Sequence, residues 1–185
     1  MSNNGILDRS LSKSQIAILR TDPYSGVLIR SPMYSVLIDP TRFDAENLLI
    51  PDVILITHEH SHHLDENLIS SVFKMARERA EKKEAKSYGL QDLFDLPIVV
   101  ADEASSMFLK RFLPRENLKA MKPGDEASVE MLTIKAFRSN HPSAKSPLTY
   151  VVVFENGMKL YHASDSLPFE EMRVIGETER PDIAF

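Results

Sequence analysis

The chain contains no cysteine among its 185 residues. This absence excludes disulfide bonds and thiolate metal ligands, so any metal ion would have to be bound by nitrogen and oxygen donors. The chain also lacks any apolar run near the roughly 20 residues that a membrane-spanning helix needs, and its polar residues 1–11 have no signal-peptide core. We therefore expect a soluble, cytoplasmic protein without a membrane partner.

An excess of positive charge is missing as well, since 22 lysines and arginines stand against 27 acidic residues and give a net charge of -5. A net negative charge disfavours a broad surface that binds the phosphate backbone of nucleic acids, although a local basic patch remains compatible with it. A small-molecule substrate is therefore expected, and nucleic acid is not expected as a partner. The length and the hydrophobic content of 43% fit one domain over residues 1–185.

Short apolar segments rich in β-branched residues predict strands in the first third of the chain. The first three are separated by proline-containing turns and should form a compact antiparallel set. After the fourth, apolar residues at four-residue spacing predict an amphipathic helix from Glu66 to about Lys86, with an exposed and highly charged end after Arg77. The predicted strands are residues 15–20, 26–30, 35–38 and 53–56.

In the second half of the chain, segments with the strand pattern alternate with a segment that has the helix pattern. Asp102 should cap a helix that extends through Phe112. Asn156-Gly157 is a strong signal for a hairpin turn between two strands. The predicted strands are residues 96–101, 128–137, 148–154 and 159–162, and residues 181–185 should begin one more.

Four of the six histidines lie in the segment Thr57-His58-Glu59-His60-Ser61-His62-His63, directly after the predicted strand 53–56. Imidazole is the commonest protein ligand for transition metals, and side chains that leave a strand end can converge on one ion. An exposed, tag-like run of histidines is the alternative interpretation. Because the segment follows a buried strand and precedes an amphipathic helix, a metal site is favoured.

Two further histidines and two aspartates are candidates with structural alternatives. His141 lies in an Asn-His-Pro loop after predicted β-structure and could complete a metal site. His162 lies within the alternating pattern of a strand, which favours a packed residue over a ligand. Asp165 could be a ligand or a turn or helix cap, whereas Asp65 is interpreted as the N-cap of the helix that begins at Glu66.

The order of these features resembles the metallo-β-lactamase superfamily: a strand, then Thr-His-x-His-x-x-His, then a separate histidine after β-structure, then an aspartate after another strand. The resemblance covers most of the chain. It implies an α/β fold, a four-layer αβ/βα sandwich with a metal site at the sheet edges. Within the superfamily, two segments are most similar to the branch that contains L-ascorbate-6-phosphate lactonase. They are Ile38-Asp39-Pro40, where the third strand ends, and residues 161–166.

The resemblance also implies a set of ligands. His58, His60 and His141 would hold a first metal ion, which leaves an open position for water as in catalytic zinc sites. Asp165 would bridge to a second ion that His63 also binds. Asp39 would accept the free ring N–H of a ligand histidine and so orient it.

Two departures from the family pattern matter. His62 occupies the position of an aspartate that binds the second metal and handles the proton of the nucleophilic water, so His62 is expected either to bind the second ion or to weaken hydrolysis. The last metal-binding histidine of the family would follow the strand that begins near Asp182, and the sequence ends at Phe185. We therefore expect an incomplete second half, that is, a C-terminally truncated domain or one completed by a partner such as a second copy.

The function implied is that of a metal-dependent hydrolase of the lactonase or esterase type. Its catalytic groups would be Asp165, His63 and His62, acting with one or two divalent ions, zinc first and manganese or iron as alternatives. The substrate would be a small ester, lactone or phosphorylated molecule, for which Lys145 and Arg138 are candidate anion-binding residues. A catalytically silent metal-binding relative and a nuclease-like member of the same fold are the alternatives.

Overall fold

A computed structural model describes residues 10–42, 49–84 and 96–185. Two β-sheets pack face to face, and helices cover the outer face of each sheet. This is the four-layer αβ/βα arrangement that was expected. In the described residues no helix has both the length and the apolar character needed to cross a membrane.

The first sheet has six strands that lie in the order of the sequence. The first three pair antiparallel, as predicted for a meander, and the last four pair parallel. The third and fourth strands are buried along their whole length, which fits continuous apolar runs covered on both faces. The strands are β1 (Ala17–Arg20), β2 (Val27–Arg30), β3 (Ser35–Ile38), β4 (Val53–Ile56), β5 (Ile98–Asp102) and β6 (Leu118–Met121).

The second sheet has five strands in the order β11-β10-β9-β8-β7, and only β10 and β11 pair parallel. The hairpin predicted at Asn156-Gly157 is confirmed, with Gly157 at a φ of 82° between β9 and β10. The short strand predicted in residues 181–185 is also confirmed. The strands are β7 (Glu126–Val129), β8 (Leu132–Arg138), β9 (Leu148–Val153), β10 (Lys159–His162) and β11 (Ile183–Ala184).

The single strand predicted over residues 128–137 is wrong, because the structure has a hairpin there. Val129 pairs with Leu132, so the chain reverses over two residues. Glu130 has a φ of 51°, a left-handed conformation that the sequence did not signal because no glycine or asparagine stands there. The hydroxyl of Tyr34 donates a hydrogen bond of 2.8 Å to the Glu130 carboxylate and holds the turn.

The helices are α1 (Glu66–Glu84), α2 (Glu103–Leu109) and α3 (Glu170–Glu179), with a 3-10 turn at Arg115–Asn117. Asp65 and Asp102 accept hydrogen bonds from the first backbone amides of α1 and α2, so both predicted caps are confirmed. The predicted end of α1 near Lys86 lies outside the described residues. The exposed side chains of residues 77–79 agree with the predicted solvated face.

The prediction that α2 extends through Phe112 is wrong. The backbone bonds of Arg111 and Phe112 run to the third preceding carbonyl, which ends the α-helix at Leu109 and leads into Pro114. Helix α3 was not predicted, and Ile175 is its only buried residue, so its apolar stripe is too narrow to recognise. Strand β6 was also missed, since Lys119 interrupts its short apolar pattern.

The main core lies between the sheets and receives alternate residues from both. The intervening residues of the first sheet pack under α1 and α2, and Val151 and Tyr161 of the second sheet pack under α3. Two hydrogen bonds join the sheets at the end of β4: the amide of Leu148 donates to the Thr57 carbonyl, and the hydroxyl of Tyr150 donates to the Ile56 carbonyl, both at 2.9 Å. They lie directly beneath the predicted histidine site.

Replacing Tyr150 by phenylalanine should destabilise the chain by about 1–3 kcal/mol, because the buried Ile56 carbonyl loses its hydroxyl donor. The measurement is urea-induced unfolding at equilibrium. Tyr24 is 55% exposed, so Tyr24→Phe is the matched control and should change stability by less than about 0.5 kcal/mol. Equal unfolding midpoints for the two variants would show that the bond between the sheets does not contribute.

Candidate metal centre

The candidate site lies at the carboxyl ends of strands from both sheets. Residues 57–63 follow β4, Asp39 follows β3, His141 follows β8 and Asp165 follows β10. A tight turn compacts the histidine segment, because the amides of His63 and Leu64 both donate to the His60 carbonyl at 2.9 Å. This turn brings the rings of His58 and His63 together, with 3.9 Å between their centroids and an angle of 42° between their planes.

A first group of donors comprises His58, His60 and His141, whose ligand atoms all lie within 4.8 Å of one another. Nε2 of His60 is 3.3 Å from the carbonyl of Ser143, which can only accept, so the ring carries its proton on Nε2. In this tautomer Nδ1 carries the lone pair, and it lies 3.3 Å from Nε2 of His141, its hydrogen-bond partner. The fold thus presents two nitrogens from distant parts of the chain to one point.

A second group comprises His58, His62, His63 and Asp165, again within 4.8 Å of one another. Oδ2 of Asp165 lies 3.1 Å from Nε2 of both His62 and His63. The contact with His62 is a hydrogen bond, whereas the contact with His63 is close but not aligned as one, and His63 Nε2 has no hydrogen-bond partner. His58 belongs to both groups, so the structure gathers all six predicted ligands into two adjoining clusters.

Asp39 connects this site to the first sheet. It is fully buried, and its carboxylate lies 2.7 Å from Nδ1 of His63, which donates to it. The same carboxylate accepts from the amide of Thr57 at 2.8 Å and from the hydroxyl of Thr57 at 2.7 Å. This geometry matches the orienting position that the resemblance gave to Asp39, because binding Nδ1 turns Nε2 of His63 toward Asp165.

Sequence reasoning missed Thr57 and Ser164. The hydroxyl of Ser164 donates to the hydroxyl of Thr57 at 2.8 Å, which ties the loop of Asp165 to the end of β4. Ser164 has a φ of 55° and Asp39 a φ of 46°, so two non-glycine residues beside the site adopt the left-handed conformation. The available signal was position: both hydroxyl residues stand directly next to predicted ligands.

Burial sets the protonation of the central histidine. Burial and, to a smaller extent, the neighbouring rings of His63, His141 and His60 together lower the pKa of His58 to about 3. Burial also lowers the pKa of His141. Both rings are therefore neutral at pH 7 and have a lone pair available for a cation.

The second group has the opposite electrostatics. Burial lowers the pKa of His63, but the hydrogen bond to Asp39 and the charges of Asp39 and Asp165 outweigh it, so that the pKa is raised. Burial raises the pKa of Asp165, and the hydrogen bond from His62 and the charge of His63 outweigh it, so that this pKa is lowered. Asp165 is therefore a carboxylate at neutral pH and can balance a bound cation.

The remaining candidates lie at the edge of the site or outside it. His162 is buried in β10, where its Nδ1 accepts from the amide of Ser164 at 3.3 Å, and it belongs to neither donor group. Lys145 and Arg138 both line a cavity beside His141. The carboxylate of Glu59 accepts from the backbone amide of Lys145 at 3.0 Å, a contact between the histidine segment and the His141 loop that the sequence did not indicate.

The arrangement fits a bound metal ion. Nε2 of His58 and Nε2 of His63 are buried without a hydrogen-bond partner in the described residues, and leaving such atoms unpaired costs about 1–3 kcal/mol each. A single cation shared by the two nitrogens, or one cation in each donor group, would satisfy both. The donors are imidazole nitrogens and a carboxylate oxygen, the set that suits zinc, manganese or iron.

A family model described as a beta-lactamase superfamily domain matches residues 19–185. Among curated proteins, a UPF0173 metal-dependent hydrolase from Thermoplasma volcanium is 29% identical over 163 residues, covering 81% of this chain and 61% of the relative. One from Thermoplasma acidophilum is 31% identical over 144 residues, covering 74% and 52%. The chain therefore spans between half and two thirds of the length of these two relatives.

Solved structures show the same fold. The metallo-beta-lactamase fold protein YhfI from Bacillus subtilis superposes with a TM-score of 0.62 at 15% identity, over 91% of this chain and 68% of that one. Igni18, a metallo hydrolase from Ignicoccus hospitalis, gives a TM-score of 0.61 at 18% identity, over 92% and 70%. At these identities the likeness concerns the fold alone.

Replacing Thr57 by valine should destabilise the chain by about 1–3 kcal/mol, because the buried Asp39 carboxylate and the Ser164 hydroxyl each lose a partner while the side-chain shape is kept. The measurement is urea unfolding of chelator-treated protein. Thr178→Val, on the exposed side of α3, is the control and should shift stability by less than about 0.5 kcal/mol. A Thr57→Val variant as stable as that control would remove Thr57 from the network.

Proposed function

Because this chain belongs to the beta-lactamase superfamily, we propose that it is a metal-dependent hydrolase whose site is built by residues 57–63, His141 and Asp165. The observation that carries the proposal is the position of His58. It is shared by both donor groups, neutral, and buried with an unpaired Nε2. The curated relatives in the comparison carry the name metal-dependent hydrolase, which agrees with this assignment.

One or two divalent ions fit the site, zinc first and manganese or iron as alternatives. His58, His60 and His141 would hold the first ion, and His62, His63 and Asp165 would hold a second. Three imidazoles leave one tetrahedral position open, which is the arrangement of catalytic rather than structural zinc sites. When bound, a zinc-type ion would lower the pKa of a coordinated water to about 7 and would polarise the oxygen of an ester or phosphate.

The side chains divide the other tasks. Asp165 is ionised and lies beside His62 and His63, so it can accept a hydrogen bond from the attacking water and orient it. His62 would serve as a ligand, because the ring nitrogen that binds the second ion has no lone pair left to accept a proton from that water. Asp39 and Thr57 keep His63 aimed at Asp165 and take no part in bond breaking. The leaving group would obtain its proton from solvent.

The substrate we propose is a small ester, lactone or phosphorylated molecule. A lactone of the L-ascorbate-6-phosphate type is the specific member that the sequence resemblance favours. Cytoplasmic location and action on a small molecule belong to the same proposal. Pairing with a second copy of the chain belongs to the same proposal.

A metal-binding protein without turnover is the second candidate. His62 favours it, since imidazole stands where the resemblance expects a carboxylate, and it lies 3.1 Å from Asp165 within the second group. A neutral ligand leaves more positive charge on the site and removes one base for the water. The two candidates share the metal and differ in the reaction.

Purified chain should contain at least one tightly bound divalent ion, measured by inductively coupled plasma mass spectrometry after dialysis. Asp39→Asn should lower metal affinity by about 10- to 100-fold, because His63 loses the acceptor that orients it. Asp52→Asn is the matched control at the opposite ends of β3 and β4, where Asp52 binds Ser35, and it should leave the affinity unchanged. Less than one ion per chain would overturn the metal proposal.

His62→Asp should raise hydrolysis of a 4-nitrophenyl ester or a γ-lactone by at least about tenfold, because it adds a carboxylate base beside the water. His62→Asn, which has the same size and no base, is the control. Turnover by the unmodified metal-loaded chain supports the hydrolase. Turnover that appears only in His62→Asp supports the silent metal-binding protein instead.

A further inference from the structure

A cavity of about 350 Å³ opens beside the first donor group. His141 lines it and also contributes to the metal cluster, so the cavity and the cluster share a wall. Its other walls come from the loop that follows β8, the end of β6 and the start of α2. The volume is at the lower end of the range for small-molecule sites, about 300–1,000 Å³, and it fits a compact substrate.

The cavity is cationic although the chain as a whole is acidic. Its lining includes Lys122, Arg138 and Lys145 but only one carboxylate, that of Glu103. The whole chain carries a net charge of -5. A local excess of positive charge on such a background favours an anionic ligand at this position.

The three cations are not equivalent. Lys122 pairs with Glu103 at 3.4 Å, and Nε of Arg138 pairs with Glu171 at 3.2 Å. Among the described residues, no carboxylate lies within 4.0 Å of Nζ of Lys145. Its ammonium group instead lies 5.9 Å from the centroid of the Phe108 ring. Lys145 is therefore the one of these three cations whose charge no neighbouring carboxylate of the described residues neutralises.

The backbone around Lys145 is fixed on both sides. Its own amide donates to Glu59 at 3.0 Å. The next residue, Ser146, donates its hydroxyl to Asp102 and accepts from the amide of Ala104 at 3.0 Å. A turn bond of 3.2 Å from the amide of Ala144 to the carbonyl of His141 closes the loop. The loop thus places a cation and a candidate metal ligand four residues apart on the same cavity.

We propose that this cavity is a subsite for an oxyanion group of the substrate, a carboxylate or a phosphate, with Lys145 as its main binding residue. The inference rests on the proposed function, since the reacting bond of such a substrate would then lie on the His141 side. It narrows the substrate class to small anionic esters or lactones. Lys122 and Arg138 add to the positive potential in the cavity, and they can do so while each keeps its ion pair with Glu103 or Glu171.

The binding test uses inorganic phosphate and acetate as probes on the chelator-treated chain, followed by amide shifts in 1H–15N NMR spectra. Saturable shifts should be confined to the loop of residues 139–146 and to residues 121–122. Lys145→Gln should weaken binding by about tenfold, because a charge-assisted contact is lost, whereas Lys145→Arg should retain it. Lys74→Gln, on the exposed face of α1, is the control and should bind as the unmodified chain does.

Tighter binding of phosphate indicates a phosphorylated substrate, tighter binding of acetate indicates a carboxylate, and either outcome supports the subsite. No saturable shift, or equal binding by Lys145→Gln and the unmodified chain, overturns it. Metal content is measured on the same samples, so that a failure of the anion subsite can be distinguished from a failure of the metal-dependent hydrolase. A chain that binds phosphate through Lys145 and no metal would keep the subsite and lose the hydrolase.

A kinetic arm on the metal-loaded chain uses two esters that differ only by one carboxylate. Lys145→Gln should raise KM about tenfold for the anionic ester, leave its kcat unchanged, and leave both constants unchanged for the neutral one. Equal effects on the two esters would show that Lys145 acts on the loop structure and not on the anion, and this would overturn the assignment.

Discussion

The buried carboxylate of Asp39 accepts hydrogen bonds from the Thr57 amide, the Thr57 hydroxyl and Nδ1 of His63, and the arrangement of the site follows from these bonds. A fully buried carboxylate is tolerated only when its oxygens are paired, so the end of β3 is held against the start of the histidine segment. With Nδ1 occupied, His63 has only Nε2 to offer the site. Ser164 extends the network through Thr57 to the loop that carries Asp165.

The packing of two sheets is what makes a convergent site of side chains so far apart in sequence. His58 and His60 follow a strand of the first sheet, whereas His141 and Asp165 follow strands of the second. Backbone and hydroxyl bonds to the end of β4 fix the two sheets at this edge. Because every donor lies within a few residues of a strand end, the packing of the strands limits how far the donors can move apart.

The two donor groups of the cluster differ in their electrostatics. Burial keeps His58 neutral, whereas Asp39 and Asp165 favour the charged form of His63. A neutral, desolvated part beside one that contains a carboxylate suits a cation that is shared between them. The cavity beside His141 adds a third element, because Lys122, Arg138 and Lys145 place positive charge next to the cluster.

Local pattern in the sequence determined most of the strands, the caps at Asp65 and Asp102, the buried character of β4 and the histidine-rich segment 57–63 as a metal-site candidate, whereas the full set of six donors came from the family resemblance. These are properties of neighbouring residues: alternation, capping chemistry and the preference of imidazole for metals. The resemblance supplied the four-layer fold and the orienting position of Asp39. The sequence did not predict the chain reversal at Glu130, helix α3 or strand β6, because a left-handed glutamate and narrow apolar stripes give no clear local signal.

Only the tertiary structure decided which side chains meet. The sharing of His58 by two donor groups, the contact of His62 with Asp165, the Thr57–Ser164 bond and the cavity of Lys145 all join residues from different strands. Such contacts depend on how the two sheets pack and where their strands end, and this is a property of the whole core. The sequence therefore determined the chemistry available to this protein, and the packing of the sheets determined its geometry.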